Sequence, residues 1–230
     1  MNAKRQQTLD ALRGLAMVWM TFYHFSFDLN YFGWIHQDFF HNPFWTWQRS
    51  AIVSLFLFCV GWSQAASSGN GFWKRWLQIA GCALLVTAGS YAMFPESFIY
   101  FGVLHGICAM LLLLIPLKAL KHSLWLVGVG CLVLFWYPPV VFNGAPWNVL
   151  GLISQKPITE DYVPLLPWLA LVCLGYAFGI KKGLSIMLSP FFAKALKPFA
   201  FLGRYSLRYY MLHQPVLIGL LWLAHELIQS

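Results

Sequence analysis

The chain alternates long apolar runs with short polar segments. The apolar runs lie near residues 11–33, 50–67, 74–94, 98–117, 123–142, 163–180 and 205–227. Each run is close to the roughly 20 residues that an α-helix needs to cross a bilayer. The segments between them are mostly short, so neighbouring helices should pack antiparallel. The pattern predicts an all-α integral membrane protein, a single bundle of about seven transmembrane helices that forms one domain over residues 1–230.

Composition supports lipid as the solvent of this chain. Hydrophobic residues make up 60% of it and charged residues 10%, against roughly 25% charged residues in a soluble domain. So few charges cannot cover so much apolar surface in water. The net charge of +8 does not form one patch, because basic residues recur in short groups beside the apolar runs. A lipid bilayer is therefore the expected partner, and nucleic acid is not.

The basic residues also predict an orientation. On the predicted topology, 13 of the 15 Lys and Arg residues fall on one side, and only Arg49 and Lys156 fall on the other. Loops rich in Lys and Arg face the cytoplasm. We therefore expect the N-terminus in the cytoplasm and the C-terminus outside. The basic, amphipathic segment 183–200 should lie along the inner interface.

Ionisable side chains inside membrane spans are costly and call for a reason. The first run contains His24 and Asp28, four residues apart on one helical face and well along the span. A carboxylate beside an imidazole orients the ring, which is half of a general-base arrangement. A structural hydrogen bond between helices would explain the pair equally well, and both interpretations stay open.

Other candidate site residues come from distant parts of the chain, and of these His41, His105 and Asp161 fall in the outer half of the predicted fold. His36 and His41 lie in the aromatic outer loop 34–49, and the apolar setting FFHNPFW around His41 could return the loop to the bundle. The further pocket candidates are His105, Asp161, Tyr162, Trp168, His213 and Gln214. We expect His24, Asp28, His105 and Asp161 to line one pocket that His41 caps. No ligand spacing demands a metal, so none is predicted.

On the cytoplasmic side, three arginines could meet an anionic cofactor. Asp10 and Arg13 are three residues apart and could form an ion pair at the interface. Arg13, with Arg204 and Arg208, could instead bind the phosphates of a cytoplasmic cofactor. The preference of Lys and Arg for the cytoplasmic side explains most of these cations by itself.

Four strings in the chain form a familiar series. They are LDALRGLAMVWMTFYHFSFDL, FGVLHGI, DYVPLLPW and LGRYSLRYYMLHQPVLI. They resemble, in order and over nearly the whole chain, the bacterial relatives of heparan-alpha-glucosaminide N-acetyltransferase, within a wider transmembrane acyltransferase superfamily. The resemblance implies a multi-pass protein of the bacterial cytoplasmic (inner) membrane. It also implies acetyl-CoA as the cytoplasmic acyl donor and a sugar amine or hydroxyl of the cell envelope as the acceptor.

The resemblance also implies a catalytic histidine in the outer loop after the first span, in an aromatic, proline-containing setting. His41 is similar to that position. The family's conserved asparagine on the preceding helix falls at His24, where this chain departs from the pattern. The intervening loop differs in length, which leaves His36 and His24 as rival bases.

The function that we predict from the sequence is acyl transfer across the membrane. His41 or His24 would take a proton from the acceptor or become acylated, and Asp28 would orient that histidine. The alternative is a transporter or flippase for a small anion or a lipid-linked substrate, which would show a continuous polar path and inverted repeats. The acceptor, the acyl chain and the oligomeric state, including a homodimer, stay open.

Overall fold

The computed structural model describes residues 3–67, 69–144, 147–180 and 190–229. These residues form eight α-helices, in order α1 Ala3–Tyr31, α2 Pro43–Ala66, α3 Phe72–Met93, α4 Val103–Leu117, α5 Leu124–Trp136, α6 Leu169–Ile180, α7 Pro190–Arg204 and α8 Ser206–Gln229. Short 3-10 helices cover Lys118–Ser123 and Trp147–Leu150. Helices α1 to α6 and α8 coincide with the seven predicted apolar runs. Of the predicted interfacial segment 183–200, residues 183–189 lie outside the described ranges.

The helices are those of an integral membrane protein. Within the described ranges, four are long and apolar enough to cross a membrane, namely Pro43–Ala66, Phe72–Met93, Val103–Trp136 and Ser206–Ile228. Helix α6 is apolar but shorter. Helix α1 has 29 residues, but it carries several ionisable side chains along its length. The predicted all-α membrane fold is thus confirmed, whereas the sides on which the termini lie stay predictions.

The longest apolar stretch, Val103–Trp136, is interrupted near its middle. A continuous helix of its 34 residues would be about 51 Å long, against a bilayer core of about 30 Å. Lys121 has non-helical backbone angles, φ 48 and ψ −116. Just before this break, Lys118 Nζ donates to Gln64 Oε1 at 3.0 Å. The polar break separates α4 from α5, as the two predicted runs require.

The packing of the chain divides it into two compact units. The terminal unit comprises residues 2–56 and 185–230, and the central unit comprises residues 57–184. The prediction of one domain over residues 1–230 stays a prediction.

In the terminal unit, α1 packs against α7 and α8. Where α1 crosses α7, the two backbones touch at Gly14 and Gly203. A Cβ atom at Gly14 would lie 2.6 Å from the Phe199 carbonyl carbon, and one at Gly203 would lie 2.9 Å from the Gly14 nitrogen. Carbon atoms in contact are normally about 3.5–4.0 Å apart. The crossing therefore needs glycine on both helices, as close membrane helix pairs often do.

In the central unit, α2 and α6 also touch through their backbones at glycines. A Cβ atom at Gly61 would lie 2.8 Å from the Val172 carbonyl carbon, and one at Gly175 would lie 2.9 Å from the Phe58 carbonyl carbon. Helix α3 packs against α4, and α5 packs against α6. The loops that follow α3 and α5 carry Tyr100, Asn148, Asp161 and Tyr162, and His105 lies on α4.

Candidate functional site

The loop after α1 holds a histidine–aspartate pair. His41 Nδ1 lies 3.2 Å from Asp38 Oδ1 and 3.1 Å from Asp38 Oδ2. Asp38 Oδ1 also accepts the backbone N–H groups of Phe40 at 3.0 Å and of His41 at 2.9 Å. The hydrogen bond from the His41 backbone is the main cause that holds the pKa of Asp38 below its ordinary value of 3.8. Asp38 is therefore a carboxylate at neutral pH.

The carboxylate determines which ring nitrogen of His41 carries the proton. Because a carboxylate only accepts hydrogen bonds, Nδ1 is the donor, and Nε2 of the neutral ring has a free lone pair. The His41 side chain is 88% exposed, so a substrate can reach it. An imidazole held in this way can act as a general base or a nucleophile. The sequence-based prediction gave the orienting role to Asp28, and for His41 the structure places Asp38 there instead.

An aromatic cluster anchors this loop to the helices. Phe39, only 2% exposed, stacks on Trp45 with 4.2 Å between ring centroids. The Phe39 ring also makes edge-to-face contacts with the rings of Tyr23 and Phe27, with 5.8 Å and 5.3 Å between the centroids. The string FFHNPFW does return the loop to the helices, but it does so through Phe39, while His41 remains exposed.

A second polar group lies where α1 packs against α8. Gln214 Nε2 donates to Asp28 Oδ1 at 2.8 Å, and Asp28 is 3% exposed. One helical turn before Asp28, the His24 ring lies 5.2 Å from the His213 ring, measured between centroids. The hydrogen bond that the structure gives Asp28 thus comes from α8 and not from His24 on its own helix.

Two hydroxyl groups extend this polar group along the two helices. The Tyr209 hydroxyl lies 2.7 Å from Thr21 Oγ1. Since the Thr21 hydroxyl donates to the Met17 carbonyl at 2.9 Å, Tyr209 is the donor to Thr21. The Tyr209 ring lies parallel to the His213 ring, with 6.1 Å between centroids and 7° between planes. We call the set of Thr21, His24, Asp28, Tyr209, His213 and Gln214 the α1–α8 seam.

The seam contains buried polar atoms that lack partners. His213 Nδ1 lies 2.6 Å from the Tyr210 carbonyl oxygen, which only accepts, so Nδ1 carries the proton and Nε2 is an acceptor. His213 Nε2, Asp28 Oδ2 and Gln214 Oε1 are buried, with no hydrogen-bond partner in the described structure. All three are acceptors. Buried polar atoms without partners cost free energy and are rare in native proteins.

In the central unit, Asp161 stabilises the start of a helix. Its Oδ2 accepts the backbone N–H of Val103 at 2.7 Å, and Val103 is the first residue of α4. The first N–H groups of a helix have no partner within it, and the helix dipole favours an anion there. This contact gives Asp161 a structural role, whatever else it does.

His105 is held by a neighbouring threonine. Its Nε2 lies 3.1 Å from Thr87 Oγ1, and that hydroxyl donates to the Ile99 carbonyl at 2.7 Å. Thr87 must therefore accept from His105 Nε2–H. The other ring nitrogen, Nδ1, is then an acceptor, and it is buried without a partner in the described structure.

Tyr162 also serves the architecture of the outer loops. Its hydroxyl donates to the Asn148 carbonyl, and Asn148 Nδ2 donates to the Tyr100 hydroxyl at 2.6 Å. Burial raises the pKa of both tyrosines above the ordinary 10.0, so both hydroxyls are neutral. Trp168 is partly buried and directly precedes α6.

The three predicted cofactor-binding arginines differ in their surroundings. Arg13 Nη1 lies 3.3 Å from Asp10 Oδ1, and its side chain is 22% exposed. Arg204 is near enough to interact electrostatically with Asp10, and both Arg204 and Arg208 are exposed. The Arg208 guanidinium carbon lies 5.8 Å from the Tyr205 ring centroid. Arg13 already has an anionic partner, whereas the exposed guanidinium groups of the other two can meet a ligand in solution.

The structure thus brings some of the predicted residues together. It joins His24 and Asp28 to His213 and Gln214 in the terminal unit. The predicted pocket of His24, Asp28, His105 and Asp161 draws on both units and stays a prediction. Across the described part of the chain, no three His, Cys, Asp or Glu side chains are placed to hold a metal ion.

Three residues of the His41 loop and the α1–α8 seam were not predicted from the sequence, namely Asp38, Thr21 and Tyr209. Asp38 stands three residues before His41, and an aspartate before such a tight turn often bonds the backbone two or three residues further on. That spacing was a usable signal. Thr21 and Tyr209 gave no comparable signal, because their hydrogen bond joins residues 188 positions apart.

The fold and these groups define a class of protein: an integral membrane protein with an accessible histidine–aspartate pair and a buried polar seam between two helices. The family model described as heparan-alpha-glucosaminide N-acetyltransferase, catalytic, matches residues 5–215. The chain belongs to this family, which is a family of membrane transferases, and the resemblance seen in the sequence is thereby confirmed. Comparisons with curated proteins and with solved structures gave no match.

Proposed function

We propose that this protein transfers an acetyl group across the bacterial cytoplasmic membrane. The donor is acetyl-CoA on the cytoplasmic side, and the acceptor is a sugar amine or hydroxyl at the outer face. Family membership supports the type of reaction. The observation that carries the proposal for this chain is the His41–Asp38 pair, because it supplies a base that is oriented, accessible and on the predicted outer side.

In this proposal, His41 Nε2 takes the proton of the acceptor. Asp38 keeps the proton of the neutral ring on Nδ1 and stabilises the imidazolium that forms when Nε2 is protonated. Positioned general bases typically contribute about 10²–10⁴-fold to a rate. The rival bases are His36, in the same loop, and His24, which lies in the α1–α8 seam.

The exposed arginines fit the anionic part of the donor. Arg204, at the end of α7, and Arg208, near the start of α8, both present guanidinium groups, which bind phosphate oxygens with two parallel hydrogen bonds. Arg13 fits this role less well because Asp10 already neutralises it. Acetyl-CoA, when bound, would supply an acyl group activated as a thioester.

Radiolabelled acetyl-CoA and purified protein in lipid nanodiscs test this proposal, with D-glucosamine as the probe acceptor. His41→Ala should lower kcat by about 10²–10⁴-fold, and Asp38→Asn should lower it as well, with acetyl-CoA binding retained in both. His122→Ala is the control, because His122 is an exposed histidine outside this loop and none of the proposed bases, and it should keep wild-type activity. Full activity of His41→Ala would contradict the proposal, and loss of activity only in His36→Ala or only in His24→Ala would assign the base to that histidine.

A further inference from the structure

The α1–α8 seam carries a buried carboxylate that lacks a cation. Asp28 is 3% exposed, and no ion pair in the described parts of the chain involves it. On α8, the neutral Gln214 amide donates to it. On its own helix, His24 lies one turn away, and the His213 ring of α8 lies beside His24. An isolated carboxylate inside a membrane protein is expensive, and such groups bind a proton or a cation instead.

The hydrogen-bonding pattern indicates what is needed to complete the seam. Gln214 turns its N–H towards Asp28 Oδ1, so its own oxygen is left as an acceptor, and the Tyr210 carbonyl makes His213 Nε2 an acceptor too. With Asp28 Oδ2, the seam has three unpartnered acceptors. A proton on Asp28 Oδ2 would remove the charge and would convert that atom into a donor, in a seam whose other two unpartnered atoms are acceptors. One proton would thus neutralise the buried charge and supply one of the missing donors.

We propose that the α1–α8 seam is a proton-binding site in which Asp28 holds one exchangeable proton, and that the seam conducts protons along the two helices. From Asp28 to Thr21 the path covers about 10 Å along α1, at ~1.5 Å per residue. It passes the His24–His213 ring pair and ends at the hydrogen bond from Tyr209 to Thr21. Imidazole and hydroxyl groups can both donate and accept, which proton conduction requires.

The proposed acetyl transfer releases one proton and takes up another, so a proton path could serve the reaction. This part of the inference rests on the proposed function. A bond forms between the acceptor nitrogen or oxygen and the acyl carbon, and the bond between the acyl carbon and the donor sulfur breaks. The acceptor atom loses one proton, and the sulfur gains one to leave as a thiol. If the acceptor is outside and the thiol inside, a proton is released outside and one is taken up inside, so a proton path would run inward, opposite to the acyl group. The seam would form about 10 Å of that path, beside α8, which is long and apolar enough to cross a membrane.

Infrared difference spectroscopy at neutral pH tests the proton site without any need for activity. The spectrum of wild type minus Asp28→Asn should contain the carbonyl band of a protonated carboxylic acid, and that band should shift in D2O. Wild type minus Asp38→Asn, which removes an exposed carboxylate, should instead show carboxylate bands. Gln214→Leu keeps Asp28 but removes its hydrogen-bond donor, so it should displace the band and report on the site even if Asp28→Asn does not fold.

Two results would overturn the proton site. One is carboxylate bands for Asp28 at neutral pH in the absence of alkali cations. The other is conversion of the acid band to carboxylate bands on addition of NaCl at constant pH, which would make the seam a sodium site. If the acid band is found but no acetyl transfer occurs, the proton site stands and the proposed function fails. If transfer occurs and the band is missing, the reverse holds.

Conduction is tested by Tyr209→Phe, which removes only the hydroxyl that donates to Thr21. It should slow acetyl transfer by about 10²-fold, the lower end of the range for lost proton transfer, increase the solvent isotope effect in D2O, and leave the Asp28 band in place. Ser26→Ala is the control, because Ser26 lies on α1 outside the seam and bonds only the Phe22 carbonyl of its own helix. Equal rates and isotope effects in the two variants would rule out conduction through the seam.

Discussion

The crossing of α1 and α7 allows a quantitative prediction about Gly14. Replacing it with alanine puts a Cβ atom 2.6 Å from the Phe199 carbonyl carbon, whereas carbon atoms in contact need about 3.6 Å. The helices must therefore move apart by about 1 Å, and a gap of this size forfeits up to half of the dispersion energy of the neighbouring contacts. Overpacking of this kind costs about 1–3 kcal/mol.

The helix preference of alanine opposes part of this cost. Alanine is better than glycine in a helix interior by about 0.5–1 kcal/mol, so we expect Gly14→Ala to destabilise the protein by about 1–2 kcal/mol. Gly219→Ala is the matched control, because Gly219 lies in α8 of the same unit and an added Cβ would meet nothing within 4 Å. It should be neutral or stabilising by up to about 1 kcal/mol.

The assay is thermal unfolding of both variants in the same detergent, followed by size exclusion or intrinsic fluorescence. For a chain of this size, 1 kcal/mol corresponds to about 2–4 °C in Tm. The Tm of Gly14→Ala should therefore fall below that of Gly219→Ala by about 2–12 °C. If Gly14→Ala melts at or above the control, α1 and α7 do not touch through their backbones, and the placement of α1 in the terminal unit is wrong.

Two further predictions concern the loop aspartates. Asp161→Ala should destabilise the protein by about 1–3 kcal/mol, because the buried Val103 N–H loses its acceptor. Asp161→Asn keeps an acceptor and should cost only about 0.3–1 kcal/mol. Equal Tm values for the two variants would contradict this prediction. The pKa of Asp38 lies below 3.8 in the folded protein. The ionised carboxylate therefore stabilises the loop fully above pH 3.8, and this stabilisation is lost as the pH falls through the lower pKa of the folded state. The amide NMR shifts of Phe40 and His41 should therefore titrate with a midpoint below 3.8, and a midpoint at or above that value would show that the carboxylate is not held by these amides.

Local sequence patterns predicted the helices well. The apolar runs match helices because the signals for a membrane span are local. A run of about 20 apolar residues is long enough to cross a bilayer, and charged residues mark where the run ends. The break at Lys121 was visible for the same reason, since two lysines interrupt an apolar stretch. The predicted pair of Asp10 and Arg13 also depends only on helical spacing, and the structure contains it.

The partners of the polar residues were decided by tertiary structure. Spacing within α1 suggested that Asp28 would pair with His24, but its hydrogen bond comes from Gln214, 186 residues away. A side chain on a helix has neighbours one turn away and also neighbours on whichever helix packs against it, and only the fold selects between them. Asp38 shows the same limit at shorter range, because the orientation of its carboxylate towards His41 depends on a turn that buried Phe39 holds in place.

The sequence by itself therefore determined that this protein is a helical membrane protein and which residues are candidates for chemistry. These properties follow from hydropathy and from the cost of ionisable groups in lipid, and each is local. Only the tertiary structure decided that His41 is oriented by Asp38, that Asp161 caps α4, and that the α1–α8 seam contains acceptors without donors. These properties depend on the direction of hydrogen bonds between distant segments, which no periodicity along the chain records.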